Sequence, residues 1–268
     1  MDNRPIGIFD SGLGGLTCIP YMIRELPEEK MIYFGDTKRA PYGSKKVSTI
    51  INFSTQIVDF LVGNNVKMIV IACNTVSAVS FDRIKEKTSC IPLVGIIKPA
   101  IDKIAEICPQ NSRIGVIGTK ATVMSGIYNR FINELNNELS FFSIACPKFV
   151  PLIEDGDIDS EKMDFTIRSY MDEFIGANKI DTIVLGCTHY SLIKGSIERI
   201  YPGIRIIDPS LEVTAKIKTR LTERGLLARG SDFVNTFYAS DLSDVFTSMI
   251  GHIFQDTNIK VKFRKFEL

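Results

Sequence analysis

Four short segments recur in the same order at an offset of about 110 residues, and this recurrence constrains the fold more than any other feature of the chain. Ile6-Gly7-Ile8-Phe9-Asp10-Ser11 is echoed by Ile114-Gly115-Val116-Ile117-Gly118-Thr119. Ile69-Val70-Ile71-Ala72-Cys73-Asn74-Thr75 is echoed by Ile183-Val184-Leu185-Gly186-Cys187-Thr188-His189. Pro41 matches Pro151, and Ile96-Ile97-Lys98-Pro99 matches Ile206-Ile207-Asp208-Pro209. A single match means little, because strand-turn-helix units resemble one another. Several in register point to a duplicated unit.

The unit is α/β. Short apolar runs at 6–10, 31–35, 68–72, 93–97, 114–118, 141–145, 182–186, 204–208 and 234–238 read as strands. Their continuous hydrophobicity suits parallel strands buried on both faces, with helices in the gaps. The stretch from Ser44 to Leu61, for example, puts Val47, Ile50, Ile51, Ile57, Val58 and Leu61 on one helical face, with Ser44 as its N-cap. The expected architecture is two pseudo-symmetric parallel-sheet α/β lobes with a site in the cleft between them. The first lobe comprises 1–97 plus 210–268, the second 98–209.

Parallel sheets bind ligands beyond the carboxyl ends of their strands. Asp10, Cys73, Thr119 and Cys187 all fall at such ends. If the lobes face each other, Cys73 and Cys187 approach one ligand from opposite sides. Taken singly, each cysteine reads more readily as a small, inert core residue; it is their relation through the repeat that singles them out. A metal site using Cys73, Cys187 and His189 lacks a fourth ligand and any familiar spacing. None of the six cysteines forms a CxxC pair, so zinc-ribbon and thioredoxin motifs are absent, and Cys18, Cys90, Cys108 and Cys146, like His252, read as structural or surface residues. The two cleft thiols are expected to be the most readily alkylated.

The turn Phe9-Asp10-Ser11-Gly12-Leu13-Gly14-Gly15 lacks the spacing of a phosphate loop, and its carboxylate would repel phosphate. Asp10 for an ammonium group and free amides for a carboxylate suit a zwitterion; the alternative is a tight turn capped by Asp10 or Ser11. His189 can assist proton transfer at Cys187 or be structural. Asp36 and Glu154 follow strands in the two halves, and each can tune a cysteine or be a solvated turn carboxylate. Pro41-Tyr42-Gly43 reads as a rigid turn offering backbone N–H groups.

Bulk properties exclude several classes. The net charge of +1 and the lack of a basic run argue against nucleic acid as a partner. No apolar stretch approaches 18 residues, so no membrane span is expected, and no signal peptide precedes the first strand. A cytoplasmic protein with free thiols is the expectation.

At the segments 9–17 (FDSGLGGLT), 33–43 (YFGDTKRAPYG), 71–78 (IACNTVSA), 118–123 (GTKATV), 149–154 (FVPLIE) and 185–193 (LGCTHYSLI), the chain resembles the glutamate racemase family of the aspartate/glutamate racemase superfamily. The resemblance implies a cofactor-independent and metal-independent racemase that supplies D-glutamate for peptidoglycan, in the bacterial cytoplasm, and a homodimer is expected. It implies that Cys73 and Cys187 are the catalytic thiols, the first taking the α-proton of D-glutamate and the second that of L-glutamate. Asp10, Ser11, Tyr42, Gly43, Asn74, Thr75, Thr188 and His189 match substrate-contacting positions. Asp36, Glu154, Thr119 and Thr122 match supporting ones. An aspartate racemase, a non-enzymatic amino-acid-binding protein and a thiol redox protein are the alternative readings.

Overall fold

The computed structural model describes residues 1–135, 138–230, 234–242, 244–254 and 261–265. It contains two parallel sheets. The first uses β1 (Ile6–Asp10), β2 (Met31–Gly35), β3 (Met68–Ile71) and β4 (Leu93–Gly95) in the order β2-β1-β3-β4. The second uses β5 (Arg113–Gly118), β6 (Ser140–Ala145), β7 (Thr182–Gly186) and β8 (Arg205–Ile207) in the order β6-β5-β7-β8. The two orders are the same under the shift that relates the sequence repeats. In each sheet the chain starts in the middle, steps to one side and returns to the other, which leaves a switch point between β1 and β3 and another between β5 and β7. Crevices at such points are where open α/β sheets hold their ligands.

The chain ends by returning to the first sheet. β9 (Asn235–Ala239) pairs in parallel with β2, and β10 (Val261–Lys265) pairs with β9 at the edge. The sequence reading has no strand at 261–265, because Lys262, Arg264 and Lys265 dilute the apolar signal. Charged edge strands are a common device against edge-to-edge pairing.

The helix predicted from Ser44 begins later, at Val47, and runs to Gly63 with Lys46 at its N-cap. Ser44 instead closes a 3-10 turn, Tyr42–Ser44, in which the Lys45 amide donates to the Tyr42 carbonyl at 3.0 Å. That turn buries the Tyr42 side chain. The helix buries Ile50, Ser54, Ile57, Val58 and Leu61. Val47 is exposed and Ile51 half-buried, so the apolar face is narrower than predicted. Among the described residues no helix is long and apolar enough to cross a membrane.

A buried ion pair ties the return segment down at the end of the first sheet remote from the strand carboxyl termini. Lys67 and Glu29, with side chains 0% and 2% exposed, meet at 2.6 Å. Lys67 Nζ also donates to the carbonyls of Asp2 and Leu226, and Glu29 Oε1 accepts from the Ala228 amide. Removing one partner of such a pair strands the other's charge. Lys67→Met is therefore expected to cost about 3–5 kcal/mol, or a melting temperature lower by on the order of 10 °C. Thermal melting checks this, and an unchanged midpoint would show that the pair contributes nothing.

Candidate active site

Cys73 follows β3 and caps the helix Asn74–Lys87, its sulfur accepting from the Val76 amide at 3.5 Å. The strand ends there because Asn74 and Thr75 turn into the helix. The thiol donates to Ser11 Oγ at 3.2 Å. Burial and the negative charge of Asp10 push it well above the usual thiol range, so Cys73 is a neutral thiol in this state. Asp10, at the end of β1, is fully buried; its Oδ2 accepts from the Gly12 amide at 2.9 Å, and its Oδ1 has no partner. Burial raises its carboxyl as well, against the opposing pull of the His189 charge and the Gly12 amide.

Cys187 follows β7 and has a different neighbour. Its sulfur lies 3.8 Å from His189 Nδ1, and His189 Nε2 lies 3.0 Å from Glu154 Oε1. Burial alone disfavours a charged imidazole, but the hydrogen bonds to Cys187 and Glu154 outweigh it and raise His189 to about 10. His189 therefore holds a proton more readily than a free imidazole does. It sits in the 3-10 helix Thr188–Ile193, which is anchored from behind: Ser191 Oγ donates to Asp208 Oδ1 at 2.8 Å, and Thr17 Oγ1 from the first half stands 3.3 Å from the Thr188 carbonyl.

Both cysteines line one cavity of about 30 Å³. Of the other residues singled out in the sequence, Ser11, Tyr42, Gly43, Asn74, Thr75, Thr119, Glu154, Thr188 and His189 line it too. The threonines interlock across the cleft, Thr75 Oγ1 standing 2.9 Å from Thr119 Oγ1 and Thr119 Oγ1 3.0 Å from Thr122 Oγ1. Two glycines let the halves meet. A Cβ on Gly43 would come within 2.7 Å of Thr119 Cβ, and one on Gly14 would overlap Thr188 and His189.

Three expectations need correction. Asp36 and Glu154 are not equivalent: Glu154 holds His189, whereas Asp36 accepts from Tyr42 Oη, Arg39 Nε and Ser240 Oγ. Asp36 therefore buttresses the Tyr42 turn and tunes no cysteine, because it directly follows β2, one strand further from the switch point than Asp10. Asp10, one residue before Ser11, is the carboxylate facing Cys73. Finally, Cys73 and Cys187 are 4% and 7% exposed, whereas Cys90 is the exposed thiol. Alkylation of this closed state therefore favours Cys90, not the cleft pair.

The sequence reading passed over Val150, which lines the cavity, and Tyr128, whose hydroxyl donates to Asn74 Oδ1 at 2.7 Å. Neither stands at a strand end, so the repeat does not point to them. Among the described residues no group of three or more His, Cys, Asp and Glu side chains is placed to hold a metal ion.

Residues 17–216 match the model of the Asp/Glu/hydantoin racemase family. The chain is 42% identical to the glutamate racemase of Neisseria gonorrhoeae over 89% of its own length and 88% of that protein, and 44% identical to that of Streptococcus gordonii over 82% and 83%. Its fold superimposes on the glutamate racemase of Francisella tularensis, solved in complex with D-glutamate, with a TM-score of 0.92 at 35% identity, covering 100% of this chain and 98% of that one. With two thiols at equivalent switch points and relatives of this closeness over nearly its whole length, the chain belongs to the Asp/Glu/hydantoin racemase family, among its glutamate racemases.

Proposed function

We propose that the protein interconverts L- and D-glutamate by a two-thiol mechanism without cofactor or metal, and thereby supplies D-glutamate for bacterial peptidoglycan. The observation that carries this reading is the placement of Cys73 and Cys187 at equivalent strand ends around one cavity, each with its own proton partner. Racemisation removes the α-proton on one face and returns a proton on the other. Two groups on opposite faces achieve this without the intermediate turning over, provided that one starts as the base and the other as the acid. The neighbours support that asymmetry. Cys73 is held as a thiol beside Asp10, and the proton Cys187 must yield to act as base can reside on His189, backed by Glu154.

The reverse direction needs Cys73 to become the base. The substrate's ammonium group, brought into a poorly solvated cavity, favours negative charge on the thiol, and Asp10, its carboxyl raised by burial, is placed to accept the proton. The α-carboxylate gains charge as the proton leaves. Its stabilisers are hydrogen-bond donors of the cavity wall: the hydroxyls of Thr75 and Thr188 and the amide of Asn74, whose buried Nδ2 has no partner. A cavity of about 30 Å³ holds about one or two waters, far less than a glutamate. Substrate entry therefore requires the halves 1–97 plus 210–268 and 98–209 to part, and chemistry requires them to close again.

The direct test is to incubate the purified, chelator-treated protein with L-glutamate, without pyridoxal phosphate, and to follow optical rotation, with L-aspartate in parallel. Rotation is expected to decay to zero with glutamate and to persist with aspartate. Activity that needs added zinc or pyridoxal phosphate would overturn the two-thiol reading.

A further inference from the structure

The Asn74 carboxamide has two ends, and the structure shows what sets which end faces a ligand. Asn74 is the first residue of its helix, adjacent to Cys73, and 2% exposed. Its Oδ1 accepts from the hydroxyl of Tyr128 at 2.7 Å, while its Nδ2 is buried without a hydrogen-bond partner. A donor left unpaired in a cavity wall of a folded protein is costly and calls for an acceptor. Resting on the racemase reading above, we propose that Tyr128 is a positioning residue that locks the Asn74 carboxamide with Nδ2 toward the substrate's α-carboxylate, and that it does so only when the two halves of the molecule are closed.

The direction of the bond follows from hydroxyl bookkeeping. Tyr128 is itself 2% exposed, and Asn74 is the hydrogen-bond partner found for its hydroxyl among the described residues. Burial, together with the negative charges of Cys187 and Asp208, opposes its ionisation, so the phenol keeps its proton. With the carboxamide turned over, Nδ2 would donate to the phenol oxygen and the phenol proton would have no acceptor. The observed orientation satisfies the phenol and leaves the amide donor for a ligand. A reversed amide would instead present Oδ1 to a carboxylate, oxygen against oxygen.

Tyr128 reaches Asn74 from the helix Ile127–Leu135, which follows β5 in the other half of the repeat. The two residues are 54 positions apart and belong to opposite sides of the cleft. Opening the cleft breaks the bond and frees the carboxamide to rotate. Closing restores it, so the donor that stabilises the carbanion is fixed at the moment the cavity is sealed. This adds to preorganisation, since donors already aimed at developing charge need no rearrangement during the reaction.

Tyr128→Phe retains the ring and removes the lock. Its kcat/KM for glutamate should fall by about tenfold or more, equally from both enantiomers, with a melting temperature close to wild type. The decisive measurement is the cycle with Asn74→Ala. In that background there is no carboxamide to orient, and Tyr128→Phe should change kcat/KM by less than about twofold. A role confined to packing would instead multiply the two defects. Additive defects, or a Tyr128→Phe enzyme with wild-type kcat/KM, would overturn the proposal while leaving the racemase reading intact. A wild-type protein that leaves glutamate unracemised removes both. If Tyr128→Phe is too unstable to assay, Asn74→Asp serves: its carboxylate accepts from Tyr128 with one oxygen and turns the other to the substrate. Loss of turnover in a folded Asn74→Asp protein supports the assignment; wild-type turnover refutes it.

Discussion

Cys73→Ser and Cys187→Ser are each expected to lose turnover by about 10³-fold or more, in both directions at once. In the proposed mechanism each thiol is the base for one enantiomer and the acid for the other, so neither can be dispensed with in either direction. The equilibrium constant between enantiomers in water is one, which fixes the ratio of the two kcat/KM values whatever the mutation. Directional rates therefore cannot assign a thiol to a face, but isotopes can. Serine is a poorer base than cysteine, so Cys73→Ser should make abstraction from D-glutamate more rate-limiting. Its α-deuterium effect should grow with D-glutamate and stay flat or shrink with L-glutamate, and Cys187→Ser should show the mirror pattern. Equal effects from both enantiomers in both variants would remove the face assignment. Full activity in either variant would remove the two-base mechanism. Both side chains are small and buried, so a loss of activity with an unchanged melting temperature separates chemistry from folding.

The parts of this site that were legible in the sequence are those that the backbone repeats. Asp10, Cys73, Thr119 and Cys187 stand where a strand ends, and a strand end is visible as the last residue of an apolar run. The switch-point topology then brings those ends together. What the sequence could not rank was the pairing of side chains across turns. Asp36 and Asp10 both follow strands, but only the observed order β2-β1-β3 puts Asp10 beside Cys73 and Asp36 one strand away, behind Tyr42. Glu154 reaches His189 from the end of the short helix Phe149–Glu154, a distance in sequence that carries no periodic signal. Tyr128 belongs to an amphipathic helix whose pattern reads as core, and its one polar atom is used on the opposite half. The edge strand β10 was missed because Lys262, Arg264 and Lys265 interrupt the apolar pattern of its sequence. Local chemistry thus located the cleft, side-chain contacts within each half determined what each carboxylate does, and contacts between the halves close the cavity.

Those contacts make Gly14→Ala the most informative change outside the cysteines. Gly14 opens the 3-10 helix Gly14–Cys18 with a backbone conformation that any residue adopts, so alanine adds no local strain. The added methyl would overlap His189 Nδ1 and Thr188 Oγ1, which belong to the opposite half. His189 cannot easily swing aside, because its ring is buried and its far nitrogen is held by Glu154 at 3.0 Å. The clash exists only when the halves are together, so the cheapest relief is for the cleft to stay ajar. Displacing the His189 turn by about 1 Å should cost on the order of 100-fold in kcat/KM, while the melting temperature falls little, since the atoms that the methyl would overlap belong to the cleft wall. Gly63→Ala, where an added Cβ meets nothing within 4 Å, is the matched control and should leave both quantities near wild type. Full turnover in Gly14→Ala would mean that the closed arrangement of Cys187, His189 and Glu154 is not the one in which protons move. A large loss of stability alongside the loss of turnover would instead place Gly14 in the folding core, with no bearing on closure.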